Sequence, residues 1–369
     1  MNLNPIEVQK HLKGINYPAS KENLASTAES NNASGDLVEQ LRNLPDQQFS
    51  GPGDVMEALV STAEPRLSVV IVTRNRLPEL LTTLTHLRAL PERPRVVVVD
   101  NASSDGTPQT VRRRYPDVEV IPLNENLGAA GRNVGVQAVD TPYVAFSDDD
   151  SWWAPGSLCR AADLLEAHPR LGLLAARILI GPEEREDPVC VEMAASPLPT
   201  EPDLPGRPVL GFLACASVVR RSAYLDIGGF DSRFIIGGEE ELLASDLAAA
   251  GWGLAYVDDV TTHHHPSTVR DAHARRRLTI RNDLWFIWLR RPIASALRRT
   301  VGLLRTLPRD TVSLVGLIEA LRGLPWVLEK RRVVPSHVEQ GLRALERRHD
   351  SILCPINEVY RRTGESQQP

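Results

Sequence analysis

Three consecutive carboxylates, Asp148-Asp149-Asp150, close the apolar run Tyr143-Val-Ala-Phe146. Adjacent like charges repel unless a cation or hydrogen-bond donors compensate them. A Mg2+ or Mn2+ ion held by one or two carboxylates and by substrate phosphates is one compensation; capping the next turn in water is the other. The strand-end position favours the metal. Gly128-Ala129-Ala130-Gly131-Arg132-Asn133 makes a small-residue entrance to a helix. Backbone N–H groups there can approach a phosphate, and Arg132 adds charge. Only Gly128 and Gly131 keep a glycine spacing, so close helix–strand packing explains the same residues. Glu239-Glu240-Glu241 follow Gly237-Gly238. Acids in a first helical turn complement the helix dipole; one of them, beside a glycine-hinged loop, has the chemistry of a general base. His263-His264-His265 follow the run Leu254-Ala-Tyr-Val257. In an extended segment His263 and His265 share a face. One of the three serves as a ligand if the aspartates also hold metal; otherwise they are a surface cluster.

These residues need elements to hold them. Leu67–Thr73 is expected as a buried strand, and Leu77, Leu80, Leu81, Leu84 and Leu87 mark one face of a helix. Arg95–Asp100 is a second buried strand, followed by a short helix after Asp105-Gly106-Thr107-Pro108. Residues 118–121 form a third strand, 131–139 a third helix and 143–146 a fourth strand. This βαβαβαβ order implies a mostly parallel sheet with helices on both faces. Ligands of such sheets bind beyond the carboxyl ends of the strands. Thr73-Arg74-Asn75, Asp100-Asn101, the stretch from Asn124 to Asn133, and Asp148 to Asp150 all fall there.

The 369 residues carry a formal net charge of −5, with 42% hydrophobic and 24% charged side chains. That is globular composition and excludes wholesale disorder. The four cysteines lie far apart with no C-x-x-C pair, which excludes a cysteine zinc site and fits a reducing compartment. No apolar run reaches the ~18 residues of a membrane span, and the first residues carry no apolar signal-peptide core. The charge is uneven. Residues 275–369 hold 19 Lys+Arg against 9 Asp+Glu, so they carry +10 and the remainder −15. The near-neutral total argues against nucleic acid as partner, while the charge break marks a separate basic segment.

Three regions follow. Residues 1–63 read as a small helical unit: Val8, Leu12 and Ile15 share one face, Leu37, Val38, Leu41 and Leu44 another, with Glu29–Asp36 as loop and Asp54 as a helix N-cap. Its stretches NPIEVQKHLKGINYPASKENL and LRNLPDQQFSGPGDVMEAL resemble a small bacterial helical domain family of unknown function. Residues 64–274 alternate strand and helix and are expected as one α/β unit. Residues 275–369 are Arg-rich and helical, with residues from Gly364 onward expected to be disordered.

The segments LSVVIVTRNR (67–76), VVVVDNASSDGT (96–107), NENLGAAGRNVGV (124–136), YVAFSDDD (143–150), GGFDSRFIIGGEEELLASDLAAAGW (228–252) and YVDDVTTHHHPS (256–267) stand in order. Together they resemble glycosyltransferase family 2, the inverting nucleotide-sugar enzymes of GT-A fold, over roughly residues 66–290. The resemblance implies that Thr73, Arg74 and Asp100 hold base and ribose, with Asn75, Asn101, Asn126, Gly128, Asp148 and Asp149 in the same nucleotide-sugar site. It places Arg132 near the base or diphosphate. It makes Asp148 and Asp150 the D-x-D element, with Asp150 the direct ligand of Mn2+ or Mg2+ and His263, or else His264, a further ligand. Family members usually carry Gly-Glu-Asp where this chain has Gly238-Glu239-Glu240. Glu240 therefore matches the base position with one extra methylene, and Glu239 remains the alternative.

The implied reaction is transfer of a sugar, from a UDP- or dTDP-sugar, to an acceptor hydroxyl in envelope polysaccharide or glycolipid synthesis. Competing readings are a nucleotidyltransferase, which would usually place a glycine-rich loop where Thr73–Leu77 has no glycine, and a non-catalytic nucleotide-sugar-binding scaffold. The basic segment 275–349 is expected either on an anionic membrane surface, with Trp285, Trp288 and Trp326 at headgroup depth and a lipid-linked acceptor, or packed on the catalytic unit with its arginines in water. The expected location is cytoplasmic, peripheral on the inner face of the membrane.

Overall fold

The computed structural model describes residues 5–62, 66–267 and 271–351. The expectation for residues beyond Gly364 lies outside them. Ten strands form one sheet: β1 (Leu67–Thr73), β2 (Arg95–Asp100), β3 (Glu119–Pro122), β4 (Tyr143–Asp148), β5 (Ser151–Trp153), β6 (Leu171–Ile180), β7 (Arg185–Glu186), β8 (Arg207–Pro208), β9 (Ser217–Arg220) and β10 (Gly253–His264). The order is β3-β2-β1-β4-β9-β6-β10-β5, with β7 on β6 and β8 on β10.

The half β3-β2-β1-β4 is parallel throughout. Valine-rich runs suit it because both faces are covered, and Val97, Val98 and Val99 are fully buried. Each such side chain contributes about 1.5–3 kcal/mol on burial. The antiparallel β9 lies between β4 and β6, while β6 and β10 pair parallel. Register places the chemistry: Thr73 pairs with Asp100, and Val72 with Asp148. Three of the four parallel strands thus deliver polar residues to one edge. The Gly131–Ala138 helix lies close against this half, where a Cβ on Gly135 would meet Val70 Cγ1 at 2.4 Å.

Five helices follow the sheet: Ala272–Arg290, Ile293–Thr306, Thr311–Arg322, Leu324–Lys330 and Ser336–Ser351. Their core includes Phe286, Leu289 and Val327, and Phe234 and Leu242 from the sheet-bearing region join it. The expected division at 274 falls in the first turn of the Ala272–Arg290 helix, and this shared core crosses it. Trp285 is 7% exposed; its Nε1 donates to the Ala320 carbonyl at 3.0 Å, and Trp326 packs edge-on against it at 5.3 Å. Trp288 Nε1 donates to Thr300 Oγ1. Trp285 is therefore buried inside the bundle, while Trp288 and Trp326 are half-buried and also join helices to one another.

In the first region four helices, Pro5–His11, Lys21–Ser30, Gly35–Arg42 and Pro52–Thr62, enclose a core of their own that includes Leu24, Leu41, Phe49 and Leu59. Lys21–Ser30 was not evident in sequence because its buried face is Leu24, Ala25 and Ala28, and alanine carries little periodic signal. The loop is accordingly shorter than 29–36. Asp54 is not an N-cap: the helix starts at Pro52, and Asp54 Oδ2 accepts from the Ser50 N–H at 2.9 Å.

Candidate active site

The three aspartates have three different environments. Asp148 is about a third exposed, 37% at the side chain, and pairs with Arg132 Nη2. Its N–H donates to Ser151 Oγ at 2.8 Å. Asp149 turns inward: Thr73 Oγ1 donates to Oδ2 at 2.9 Å and Arg76 Nη1 to Oδ1 at 3.2 Å. Thr83 Oγ1 donates to its carbonyl. Burial pushes the Asp149 carboxyl up to about 7 against the pull of Arg76. Asp150 is 4% exposed; Oδ2 accepts from the Ser267 N–H at 3.0 Å and lies 3.5 Å from Arg76 Nη1. Asp149 thus ties the strand end to Thr73 and the Leu77–Arg88 helix, while Asp148 and Asp150 flank it.

His264 faces Asp150, with Nε2 3.4 Å from Oδ1. Both His264 ring nitrogens are buried without a hydrogen-bond partner. His263 points elsewhere, with Nδ1 3.2 Å from Glu184 Oε1. As alternation required, His263 and His265 both meet Trp152, at 5.9 and 4.7 Å. The antiparallel pairing of β10 with β5, His264 opposite Ser151, brings the histidine run to the aspartates. Of the three histidines, His264 is the one whose ring approaches an aspartate of the run, whereas that of His263 approaches Glu184. A buried, unpartnered imidazole beside a carboxylate is a donor set that fits a divalent cation. Among the described residues no three His, Cys, Asp or Glu side chains converge on one point, so other oxygens must complete any coordination.

Arg132 is 6% exposed. Burial works against its charge, but Asp148, Glu240 and Glu239 outweigh it and hold the guanidinium protonated. Its plane lies over Phe146 and Phe230, at 5.8 and 5.7 Å. The glutamates open the Glu239–Ala249 helix. Glu239 is 6% exposed, and its Oε2 is buried with no partner. Glu240 is more open; its Oε1 accepts from the Ala214 N–H at 2.8 Å. Burial raises both carboxyls above the usual range, and the neighbouring glutamate raises Glu240 further.

Residues 68–228 match glycosyl transferase family 2, and residues 3–56 match a family of unknown function, DUF2795. N-acetylglucosaminyl-diphospho-decaprenol L-rhamnosyltransferase of Mycobacterium tuberculosis is 32% identical over 278 residues, 64% of this chain and 91% of that protein. The chain belongs to glycosyl transferase family 2. A pre-mycofactocin glycosyltransferase of the same organism is 34% identical over 222 residues, 57% of this chain and 45% of that protein. A solved mannosyltransferase from Pyrobaculum calidifontis, in complex with GDP-Man and Mn2+, superposes with a TM-score of 0.50 at 21% identity over 81% of this chain and 83% of its own. The fold is that of the GT-A glycosyltransferases.

In this family 2 chain the remaining expected residues shape the strand ends. Asp100 Oδ2 accepts from the Ser103 N–H at 2.9 Å, and its Oδ1 is buried without a partner. Asn75, at φ 52°, accepts from the Ser104 N–H at 2.7 Å. Asn101 donates to the Gly128 carbonyl and accepts from the Leu127 N–H. Asn126 accepts from the Gly128 N–H. These asparagines build the loops, while Arg74 lies exposed at the rim. Gly128 has φ +59° and a Cβ there would sit 2.2 Å from the Ile235 carbonyl oxygen, so the position excludes a side chain.

Three contributors were given no individual role from the sequence. Arg76 links Asp149 and Asp150. Asn133 holds the Gly228–Phe230 turn through Phe230 N–H and carbonyl. Asn282, fully buried on the Ala272–Arg290 helix, donates through Nδ2 to the carbonyls of Phe234, Ile236 and Gly237 at 2.7, 3.1 and 2.5 Å. That loop, with Ile235 at φ 60° and Gly237 and Gly238 at +85° and +84°, leads directly into Glu239. Glutamate runs signal themselves by composition; a lone Asn 42 residues downstream does not.

Proposed function

We propose that this chain transfers a sugar from a nucleoside-diphosphate sugar to a hydroxyl on a lipid-linked acceptor, with inversion at the anomeric carbon and dependence on Mn2+ or Mg2+. The observation that supports the reading most is the Glu239–Glu240 pair at the start of a helix, with Glu240 Oε1 held by the Ala214 N–H, in the electrostatic reach of the buried Arg132 that pairs with Asp148 at the strand end. The M. tuberculosis relative named for a diphospho-decaprenol acceptor supports a lipid-linked one here. Family 2 relatives and the GT-A fold support a UDP-, dTDP- or GDP-linked donor.

Thr73, Asp100 and the Asn75/Asn101/Asn126 loops line the nucleotide side, with Asp100 Oδ1 offering an unpaired acceptor for a base or ribose hydroxyl. Asp150 and His264 would hold the divalent ion, with oxygens other than a third side chain completing its coordination, while Asp148 stays paired with Arg132. That ion supplies positive charge to the leaving diphosphate. Arg132 orients Asp148 and adds fixed positive charge where the diphosphate departs. Glu240 takes the proton of the attacking hydroxyl. Its Oε1 is fixed by the Ala214 N–H and it is the more open of the two glutamates, whereas Glu239 Oε2 is sealed from solvent. Such a base commonly contributes roughly 10²–10⁴-fold. Attack from the face opposite the diphosphate inverts the centre without a covalent glycosyl-enzyme. Glu240→Gln should abolish transfer while retaining nucleotide-sugar affinity. Full turnover in that variant, with loss in Glu239→Gln, would move the base to Glu239.

A further inference from the structure

Ten of the twelve exposed large apolar side chains among the described residues lie between Ile293 and Val333. The rest of the described surface has only Val191 and Ile236. The concentration follows helical geometry. In the Ile293–Thr306 helix, Ser295 and Ala296 face the core. Ile293, Leu297, Val301 and Leu304 recur at i, i+4, i+8 and i+11 on the opposite side, 45–63% exposed. In the Thr311–Arg322 helix, Ser313, Gly316 and Ala320 face inward. Gly316 approaches the Ala272–Arg290 helix so closely that a Cβ would meet the Arg277 carbonyl oxygen at 2.9 Å. Leu314, Ile318 and Leu321 are left outward. Two consecutive helices therefore each bury small residues and expose large ones, the reverse of a helix pair packed solely for stability.

Charge decides what fits this face. Residues 291–333 carry nine Lys+Arg and three Asp+Glu. The three acids are already engaged: Asp310 with Arg276, Glu319 with Arg277 and Glu329 with Lys330. Arg305, Arg309 and Arg322 are exposed, and among the described residues no carboxylate pairs with them. An apolar stripe bordered by unneutralised arginines complements a surface with an oily interior and anionic headgroups. Arg stems can lie along the apolar stripe while their guanidinium groups reach the headgroups.

We propose that the face formed by the Ile293–Thr306 and Thr311–Arg322 helices docks on an anionic lipid bilayer. It lies on the bilayer and does not cross it. No single helix among the described residues is long and apolar enough to span. The Thr311–Arg322 and Leu324–Lys330 pair, bent by 49°, has Val327 fully buried against the protein core. The contact is made by leucine, isoleucine and valine. The stripe contains none of the candidate active-site residues, so vesicle binding and sugar transfer are read by separate measurements.

The test is flotation of the full chain with vesicles of phosphatidylcholine alone, or mixed with phosphatidylglycerol at roughly 7:3. The proposal expects flotation with the anionic vesicles, weakened at least about tenfold by salt that shortens the screening length to a few ångströms, and little with neutral ones. The double substitution Leu297→Asp/Val301→Asp changes exposed positions only. It should cut anionic-vesicle binding about tenfold or more with an unchanged thermal midpoint and unchanged nucleotide-sugar affinity. Arg305→Glu/Arg309→Glu should do the same. Absence of flotation with anionic vesicles at low salt overturns the proposal, as does equal flotation of the apolar variant. A stable dimer in size-exclusion light scattering that Leu297→Asp/Val301→Asp dissociates would assign the face to a second copy and overturn it too.

Discussion

Asn282→Ala tests whether the helical extension belongs to the catalytic machinery. The Asn282 amide stands between the Ala272–Arg290 helix and the turn that delivers Glu239 and Glu240. Its Nδ2 serves three carbonyls, at 2.7, 3.1 and 2.5 Å. Two N–H protons shared among three acceptors amount to about two full hydrogen bonds. Leaving a buried polar group unpaired costs about 1–3 kcal/mol, so alanine should destabilise the chain by about 2–4 kcal/mol. The turn carries three strained or glycine-dependent conformations within four residues, at Ile235, Gly237 and Gly238, so freeing it lets the glutamates drift. A displacement of about 1 Å at a reacting group costs about 10²-fold in kcat. Donor KM should change little, because Thr73, Asp100 and Asp148 are held by the sheet. The assay is steady-state release of nucleoside diphosphate beside urea unfolding. Asn282→Asp, which puts an acceptor against three carbonyls, should be no better than alanine. An Asn282→Ala enzyme with wild-type kcat and lowered stability would refute the positioning role and leave a purely structural clamp.

His264→Ala and Asp150→Ala should each weaken Mn2+ binding, read by isothermal titration in the presence of nucleoside diphosphate, while His263→Ala should not. The opposite pattern for the two histidines would return the ligand role to His263. Glu240→Gln should lose at least about 10²-fold in kcat with donor affinity retained, and Glu239→Gln should lose less, as measured by single-turnover transfer. Burial pushes Asp283 up to about 6 and Glu241 up to about 7. Carboxyls that hold protons more tightly when folded stabilise the chain below their unfolded values near 4. That contribution is lost as pH rises through the folded values. Urea midpoints should therefore fall between about pH 4 and pH 7, and Asp283→Asn should flatten the fall; an unchanged profile would contradict it.

Much of the sheet was legible because hydrophobic continuity survives in one dimension. Leu67–Thr73 and Arg95–Asp100 appear as strands with those bounds, and the polar residues at their ends meet where parallel topology requires. Glu239, Glu240 and the aspartates were conspicuous as candidates because like charges in a row demand compensation, and Arg132 because it follows a small-residue helix entrance. Their division of labour was not. Asp149 turns inward because Thr73, Thr83 and Arg76 offer donors from two other elements, a fact of the third dimension. His264 rather than His263 faces Asp150 because strand alternation has a phase that β5 sets through Ser151. The tryptophans looked interfacial beside arginines, yet the indole N–H groups of Trp285 and Trp288 find partners at Ala320 and Thr300 within the helices. Asn282 was invisible because its importance lies in three carbonyls far upstream.

The account rests on sugar transfer with Glu240 as base and a divalent ion at Asp150. The most direct measurement is nucleoside diphosphate release from a panel of UDP-, dTDP- and GDP-sugars with a polyprenyl-diphosphate-linked sugar acceptor, with and without Mn2+, for the wild type and Glu240→Gln. The account predicts release with one donor class that requires both acceptor and metal and vanishes in Glu240→Gln. Tight nucleotide-sugar binding with no turnover in any combination, or turnover untouched by Glu240→Gln, would contradict it.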